Sequence, residues 1–293
     1  MCCPVFAGQR FFIIGNKMKR VAIQGIKGCF HEQAAYMFYE KEGCEKPEVV
    51  ECTSFDELYV KMNEGKADAA IMAIENTVSG GLLPNFELLR KHNRKIKGEV
   101  FLRIKQNLMT LPGQKIEDLR EVRSHYMAIN QTRQYFADYP WIRLVEYADT
   151  ATSARDIARD AVPGVGAIAS DLAADIYGLE VISESIETYK QNFTRFLILD
   201  DSLQVDKSRI NKSSMCFTLP HKPGSLTHVL TILSFYDMNL TRIQSLPIPG
   251  QEWQYFFYVD IKFDDYTRYE QALTAVKPLM TDLNILGEYE AAI

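Results

Sequence analysis

Short apolar runs alternate with amphipathic segments along most of the chain, which predicts a repeated strand and helix order. The first strand is predicted at Val21–Gln24 and the first helix from Phe30 to about Lys41. Such βα units indicate mostly parallel strands in one or two sheets. Further strands are predicted at Glu48–Cys52, Ala67–Ile74, Gly98–Met109, Leu144–Tyr147, Gly166–Ala169, Leu179–Ile182 and Phe196–Leu199, and further helices at Ser54–Asn63, Leu83–His92, 124–136, Thr150–Asp160 and Leu172–Tyr177.

The pattern changes after Asp200. Residues 201–213 are polar and lack periodicity, so we predict a linker there. Residues 214–293 then read as strand, helix, strand, strand, helix and strand. This βαββαβ order in about 80 residues predicts a ferredoxin-like module, whose exposed faces suit dimerisation.

Polar residues collect where predicted strands end. Gly25-Ile26-Lys27-Gly28 follows the first strand, and a cluster from Glu75 to Gly81 follows the third. Ligands of open α/β sheets bind at the carboxyl ends of the strands, and a helix that starts there offers N–H groups to an anion. The chain has neither Gly-x-Gly-x-x-Gly nor Gly-Lys-Ser/Thr, so these turns are not nucleotide loops.

The stretch from Gln191 to Asp200 combines polar side chains with an apolar strand. Phe196 to Leu199 is apolar throughout, which predicts a strand buried on both faces, and Asn192, Thr194 and Arg195 lie at its entrance. An arginine is rarely buried without an anionic partner. That partner is either a ligand carboxylate or a protein carboxylate across a domain boundary.

The composition is that of a globular chain. Its 293 residues are 47% hydrophobic and 24% charged, enough for two ordinary domains or one large one. A net charge of -5 without a Lys/Arg cluster argues against nucleic acid and anionic membranes as partners. No apolar run approaches the roughly 18 residues of a membrane helix. An anionic small substrate therefore needs a locally built positive site.

The cysteines and the N-terminus predict a cytoplasmic protein. No Cys-x-x-Cys pair is present, which favours free thiols in a reducing compartment. Residues 1–17 lack a basic start followed by a long apolar core, so we predict no secretory signal. We expect 1–17 to be a disordered or mis-assigned extension, because Met18 is followed at once by a strand. The six cysteines are Cys2, Cys3, Cys29, Cys44, Cys52 and Cys216.

Four segments in a fixed order carry a family resemblance. They are Gly25 to Phe30 with Ala34-Ala35, then Ile74-Glu75-Asn76-Thr77 with Gly80, then Asn192-Phe193-Thr194-Arg195-Phe196, and last the C-terminal module. Together they resemble the prephenate dehydratase family, and the module resembles its ACT regulatory domain. The resemblance runs from about residue 20 to the C-terminus.

Three positions depart from the family pattern. His31 stands where many members have Ser, and Ser124-His125-Tyr126-Met127 replaces Ser-His-Pro-Gln. The usual Glu-Ser-Arg-Pro of the ACT domain is here Gln244 to Pro247, with Leu246 in place of Arg. The loop glycine of that domain is kept as Gly224.

The resemblance implies an α/β fold with a two-lobed, periplasmic-binding-protein-like (type II) catalytic region and an α+β ferredoxin-like ACT domain. We expect the catalytic domain at 18–200, with one lobe formed by 18–95 and 182–200 and the other by 96–181. The ACT domain is expected at 214–293. The site then lies in a cleft between the lobes.

The resemblance also implies the chemistry, which is conversion of prephenate to phenylpyruvate with loss of water and carbon dioxide. The resemblance implies that Thr194 protonates the leaving hydroxyl and that Arg195 pairs with a carboxylate of the substrate. Glu75 is either a catalytic acid or a group that holds its loop, and Asn76 is a further catalytic residue. No cofactor or metal is expected, because aromatisation drives the reaction. The expected substrate-binding residues are Arg195, Phe196, Asn192, Gly28, Thr77, Gly80, Ser124 and Gln131.

The ACT-like module implies feedback control by L-phenylalanine and a homodimer or homotetramer. No long helical stretch precedes Val21, so a chorismate mutase segment is not expected. Two alternatives stay open, which are arogenate as the substrate and a sensor that binds an amino acid without chemistry. The expected effector-binding residues are Gly224, Ser225, Leu226, Gln244, Ser245 and Pro247.

Overall fold

The computed structural model describes residues 18–292, so the expectation for residues 1–17 lies outside the described residues. The described chain forms a first lobe, a second lobe and a C-terminal domain. The first lobe contains β1 (Arg20–Gln24), α1 (Phe30–Lys41), β2 (Glu48–Cys52), α2 (Phe55–Asn63), β3 (Ala69–Asn76), β4 (Gly80–Gly81), α3 (Leu83–His92) and β5 (Ile96–Arg103).

The second lobe follows β5, and the chain then returns to the first lobe through one strand. Its sheet has the order β10-β6-β9-β7-β8. These elements are β6 (Asn107–Thr110), β7 (Glu121–Ser124), α4 (Tyr126–Phe136), β8 (Arg143–Glu146), α5 (Thr150–Asp160), β9 (Val165–Ala169), α6 (Asp171–Tyr177) and β10 (Glu180–Ser183), and the returning strand is β11 (Phe193–Leu199).

The lobe boundaries differ from the predicted ones at both ends. Strand β5 pairs with β11 from Arg103 to Ile96, so this segment belongs to the first lobe rather than to 96–181. Strand β10 pairs with β6 and belongs to the second lobe. The chain therefore crosses between the lobes at 104–106 and 184–192. The apolar pattern of a strand does not specify which sheet it joins, which explains the error.

The C-terminal domain has the predicted ferredoxin-like topology. It contains β12 (Lys212–Thr218), α7 (Ser225–Phe235), β13 (Asn239–Pro247), β14 (Tyr255–Lys262), α8 (Tyr266–Val276) and β15 (Thr281–Tyr289). The strand order is β13-β14-β12-β15, with antiparallel neighbours. Strand β12 begins at Lys212, inside the predicted linker 201–213.

One face of the C-terminal sheet packs on the first lobe. Cys216, Tyr258 and Leu286 of this domain share a buried core with Phe86 and Leu89 of α3. A bridge between Gly287 of β15 and Ile96 of β5 joins the two sheets. A side chain at Gly287 would place its Cβ 2.3 Å from the Ile96 carbonyl oxygen, so this close approach requires glycine. The first lobe and the C-terminal domain are thus parts of one sheet.

Polar side chains cap the N-terminal ends of several helices. Ser54 accepts a hydrogen bond from the N–H of Glu57 at the start of α2, and Ser170 accepts one from Ala173 at the start of α6. Asp149 caps α5 in the same way. Among residues 18–292, no helix is long and apolar enough to cross a membrane.

Candidate active site

A cavity of about 470 Å³ opens between the two lobes, and we call it the cleft. This volume is within the range that holds small-molecule ligands. Both lobes contribute to its wall, as the sequence predicts. The lining residues include Gln24, Phe30, His31, Asn76, Ser79, Gly80, Gln106, His125, Tyr126, Met127, Ala128, Gln131, Asp149, Thr150, Thr194 and Phe196.

Asn76 and Thr194 form a hydrogen-bonded pair in the cleft. They lie opposite each other on the antiparallel strands β3 and β11, and Asn76 Nδ2 donates to Thr194 Oγ1 at 2.9 Å. The side-chain oxygen of Asn76 accepts the N–H groups of Val78 and Ser79, so its amide nitrogen faces Thr194. Because the threonine oxygen accepts this bond, its own O–H proton remains available to donate to a ligand.

Three more amide side chains support this pair. Asn76 Nδ2 also donates to Asn192 Oδ1 at 2.7 Å, and Asn192 Nδ2 donates to Gln131 Oε1 at 3.0 Å. Gln131 Oε1 accepts a second bond from Gln106 at 3.2 Å. Asn192 is fully buried, whereas Gln131 reaches the cleft wall. The chain of amides runs from the first lobe to α4 of the second and fixes the orientation of each member.

Arg195 does not face the cleft, which corrects the prediction that it binds a substrate carboxylate. Neighbouring side chains of a strand point to opposite faces, so Thr194 and Phe196 reach the cleft while Arg195 points toward the C-terminal domain. Its side chain is 3% exposed and donates to Glu99 at 2.7 Å and to the Tyr289 hydroxyl at 2.9 Å. The structure instead has the other predicted arrangement, in which Arg195 forms a salt bridge with protein carboxylates across a domain boundary.

Six acidic and basic side chains meet at this boundary, and we call them the interdomain cluster. Arg195 pairs with Asp260 and, at 3.2 Å, with Glu75, while Lys212 pairs with Glu99 at 2.8 Å. Burial would raise the pKa of Asp260, but the Arg195 guanidinium holds that pKa below its ordinary value. The cluster consists of Glu75, Glu99, Arg195, Lys212, Arg242 and Asp260, that is, three cations and three carboxylates.

Glu75 belongs to this cluster rather than to the cleft wall. It stands beside Asn76 on β3, on the opposite face of the strand, and its carboxylate pairs with Arg195 and with Arg242 of β13. One carboxylate oxygen of Glu75 is held by Arg195 and the other by Arg242, and the residue is not among those that line the cleft. Of the two roles predicted for Glu75, the geometry therefore supports the structural one, in which Glu75 holds its segment in place, over that of a catalytic acid.

Three other predicted substrate-binding residues are used in internal contacts. The N–H of Gly28 donates to the buried Glu32, so it is not open to a ligand. The Ser124 hydroxyl donates to the carbonyl of Ile168 at 2.6 Å, and Ser124 is fully buried. Thr77 donates to the Gln191 carbonyl and accepts the N–H of Phe193, which fastens the entrance of β11. Gly80, by contrast, lines the cleft.

The N-terminal ends of helices from both lobes line the cleft, among them those of α1, α4 and α5. Phe30 begins α1 in the first lobe, and Tyr126 to Ala128 form the first turn of α4 in the second. A helix N-terminus is equivalent to roughly half a positive charge and attracts anions. Among the described residues that line the cleft, none is a lysine or an arginine. The groups in the cleft wall that can attract an anion are therefore backbone dipoles, and Asp149 is the carboxylate among the lining residues.

The histidines of the cleft wall are neutral. Burial lowers the pKa of His31 to about 3, and burial also lowers the pKa of His125. The His31 ring packs edge-on against Phe196 at 5.0 Å between ring centroids. Three residues of the cleft wall, His31, Gln106 and Asp149, are not among the site residues predicted from the sequence. Asp149 and Thr150 follow strand β8, so the rule that polar groups at strand ends line a site could have found them.

The predicted effector residues lie on two elements of the C-terminal domain. Gly224, with φ +83°, is the exposed N-cap of α7, and Ser225 and Leu226 form its first turn. Gln244, Ser245 and Pro247 lie on β13, the edge strand of the sheet. Side-chain alternation places Gln244 on the same face as Arg242 of the interdomain cluster.

The fold and the site together define a class, that of two-lobed α/β proteins whose ligand cleft lies between the lobes, here with a ferredoxin-like domain attached. Within this class the chain belongs to the prephenate dehydratase family, whose model matches residues 21–203. The arogenate dehydratase/prephenate dehydratase 2 of Arabidopsis thaliana is 34% identical, over 98% of this chain and 77% of that protein.

Two solved structures match nearly the whole chain. The prephenate dehydratase of Arthrobacter aurescens in complex with L-Phe is 27% identical with a TM-score of 0.81, over 92% of this chain and 89% of that one. GqqA, described as a novel type of quorum quenching acylase, is 25% identical with a TM-score of 0.83, over 94% of this chain and 98% of that one. The C-terminal domain is thus included in the likeness to both structures.

Proposed function

We propose that this chain converts prephenate to phenylpyruvate. The observation that carries the proposal is the Asn76–Thr194 pair in the cleft, where a threonine proton is free to be donated. Membership in the family supports dehydration of prephenate or arogenate. The cleft offers backbone dipoles for the two carboxylates of the substrate and a hydroxyl for its leaving group.

The reaction needs one proton and no external oxidant. The bond from the ring to its carboxylate breaks, and the electron pair completes the aromatic ring as carbon dioxide leaves. The bond to the ring hydroxyl breaks at the opposite carbon, and the departing oxygen takes a proton to become water. In this proposal Thr194 donates that proton, and solvent restores it. Asn76 stabilises the threonine oxygen through the bond that it donates at 2.9 Å.

The remaining cleft residues bind and orient the substrate. Gln131 and Asn192 hold Asn76 in place, and Phe196 presents an apolar face to the ring. Gly80 and the first turns of α1 and α4 receive the carboxylates. Arg195, Gly28, Thr77 and Ser124 support these elements through the internal contacts described above, and they have no direct contact with substrate in this proposal.

Arogenate is the second candidate substrate, and Asp149 favours it. This carboxylate lines the cleft, and arogenate carries an ammonium group where prephenate has a keto group. Asp149→Asn tests the contact, because asparagine caps α5 as well as aspartate does. We expect the variant to lower kcat/KM for arogenate relative to prephenate by about 5- to 20-fold, because one charge-assisted hydrogen bond is lost. An unchanged ratio would exclude Asp149 as the selecting group.

The C-terminal domain is proposed to bind L-phenylalanine and to lower activity. The Arthrobacter aurescens relative was solved in complex with L-Phe, which supports this effector. Residues Gly224 to Leu226 and Gln244 to Pro247 are the proposed contacts, in a homodimer or homotetramer. An activity curve that stays flat over a wide range of phenylalanine concentration would contradict the regulatory part of the proposal.

The first experiment is product formation by the purified chain with prephenate and with arogenate, each with and without phenylalanine. Phenylpyruvate from prephenate, measured by its ultraviolet absorbance, is the expected result. Phenylalanine formed from arogenate alone would move the substrate assignment. Turnover of neither, together with tight binding of an amino acid, would favour the sensor alternative.

A further inference from the structure

Two strands connect the cleft directly to the interdomain cluster. On β11, Thr194 faces the cleft and Arg195 faces the cluster; on β3, Asn76 faces the cleft and Glu75 faces the cluster. The register pairs Thr194 with Asn76 and Arg195 with Glu75. The hydrogen bond on one face of the strand pair and the ion pair on the other are therefore one residue apart.

The C-terminal domain supplies half of the cluster. Asp260 of β14 pairs with Arg195, and its second oxygen accepts the Ser214 hydroxyl at 2.5 Å. Arg242 of β13 pairs with the Glu75 carboxylate and lies over the Phe86 ring at 4.6 Å. Arg195 and Glu75 lie on the same two strands as Thr194 and Asn76. Both are thus held by side chains of the C-terminal domain, which lies outside the two lobes.

The balance of charge makes this arrangement sensitive to domain position. Three cations face three carboxylates, and all are nearly buried except Glu75, whose side chain is 30% exposed, so each pair depends on distances set by the packing of the C-terminal domain. A carboxylate that loses one guanidinium moves toward the other. For Glu75 this movement shifts β3 at the residue before Asn76.

We propose that the interdomain cluster positions the Asn76–Thr194 pair, so that Arg242 and Asp260 of the C-terminal domain are positioning residues for the reaction in the cleft. This inference rests on the proposed function for its kinetic test. It also assigns Glu75 a positioning role, in which it acts through Asn76. Since Arg242 lies two residues before Gln244 on one face of β13, a ligand at that strand would act on the cleft pair through the same contact.

The test compares Arg242→Met with a matched control in the full chain. Arg90→Met removes another arginine that crosses the same boundary, since Arg90 lies over the Phe256 ring at 4.2 Å, but it has no ion pair with the cluster. We expect Arg242→Met to lower kcat by about 3- to 10-fold with KM within twofold, and Arg242→Lys to recover at least half of kcat. Arg90→Met should keep kcat within twofold.

A double-mutant cycle separates positioning from acid catalysis at Glu75. Glu75→Gln keeps the shape of the side chain, and we expect it to lower kcat about as much as Arg242→Met does. The double variant should have a kcat no lower than that of the slower single variant, because both substitutions remove the same interaction between Glu75 and Arg242. A loss of 100-fold or more for Glu75→Gln alone would make Glu75 a catalytic acid and overturn the assignment.

Hydrogen–deuterium exchange tests the same point without turnover. Arg242→Met should speed amide exchange in peptides covering 70–80 and 192–198, whereas Arg90→Met should leave both peptides unchanged. Unaltered exchange and unaltered kcat in Arg242→Met would overturn the inference, and so would an equal loss in Arg90→Met. If the wild-type chain turns over neither substrate, the proposed function fails, and the exchange comparison still decides whether the cluster positions the pair.

Discussion

At the scale of single residues, two neighbours on β11 have opposite roles. The Thr194 hydroxyl reaches the cleft and bonds to Asn76, while the Arg195 guanidinium is buried between carboxylates on the other face. The strand geometry alone produces this division, because successive side chains alternate. Adjacent residues of one motif in a strand therefore face different parts of the molecule, the cleft and the interdomain cluster.

Thr194→Ala should remove the proton donor and leave the fold intact. We expect kcat to fall by about 10²- to 10⁴-fold, the usual contribution of a positioned acid, with a much smaller change in KM. Thr194→Ser is the matched control, since it keeps the hydroxyl and should keep most of the activity. Steady-state assays with both substrates measure this, and near-normal turnover by the alanine variant would contradict the role of Thr194.

His31 should make the protein less stable in acid. Burial lowers its pKa to about 3, whereas an unfolded histidine titrates near 6.5. The unfolded state binds the extra proton, so stability is full above about pH 6.5 and falls as pH drops from there toward 3, by at most about 1.4 kcal/mol per pH unit.

Urea denaturation at pH 7, 6 and 5 measures this effect. His31→Phe keeps a ring against Phe196 and Phe55 but cannot take up a proton, so its free energy of unfolding should depend less on pH than that of the wild type. Equal pH slopes for the two proteins would show that His31 does not contribute.

At the scale of elements, the start of α1 joins the two lobes. Gly28 has φ +88°, and a Cβ there would lie 2.9 Å from the Cα of Ala173 in α6. The Ser170 hydroxyl donates to the Gly28 carbonyl at 2.5 Å. The glycine that the sequence suggested as an anion site thus provides a close contact between lobes.

Gly28→Ala should therefore destabilise the protein more than an unhindered glycine substitution. Gly43→Ala is the control, because Gly43 also has positive φ, +71°, with no atom within 4 Å of its added Cβ. We expect the control to lose about 1–2 kcal/mol from the left-handed backbone alone. Gly28→Ala should lose roughly 1–3 kcal/mol more from the clash, with a raised KM. Denaturant titration compares them, and equal losses would exclude the clash.

At the scale of the whole molecule, the first lobe and the C-terminal domain share a sheet, a core and the interdomain cluster. These shared contacts should make the two unfold together. The second lobe contacts the first through the cleft wall, the two crossing segments and the close contact between Gly28 and Ala173.

Arg195→Met should uncouple the domains. It leaves Asp260 and Glu99 without their guanidinium, and removing one partner of a buried pair typically costs about 3–5 kcal/mol. Calorimetry should show one transition for the wild type and a separated, earlier transition for the C-terminal domain in the variant. Arg268→Met, which removes an exposed ion pair with Asp237 on the far side of the domain, should keep one transition. A single unshifted transition in Arg195→Met would contradict this account.

Local elements were predictable because their signals are local. The helices at Phe30–Lys41, Leu83–His92 and Thr150–Asp160 match the predicted bounds, since capping groups, glycines and apolar spacing lie within each segment. The predicted βαββαβ order and the location of a cleft at strand ends are also confirmed in the structure.

The sequence by itself determined the family, the order of elements and the residues at the strand ends, because these depend on neighbours along the chain. Only the tertiary structure decided which lobe β5 joins and which predicted site residues reach the cleft. Arg195 and Ser124 carry chemistry by residue type, yet their partners Asp260 and Ile168 lie far away in sequence. A polar side chain acts on a ligand only when it keeps a donor or acceptor that faces the cleft, and that depends on packing between distant segments.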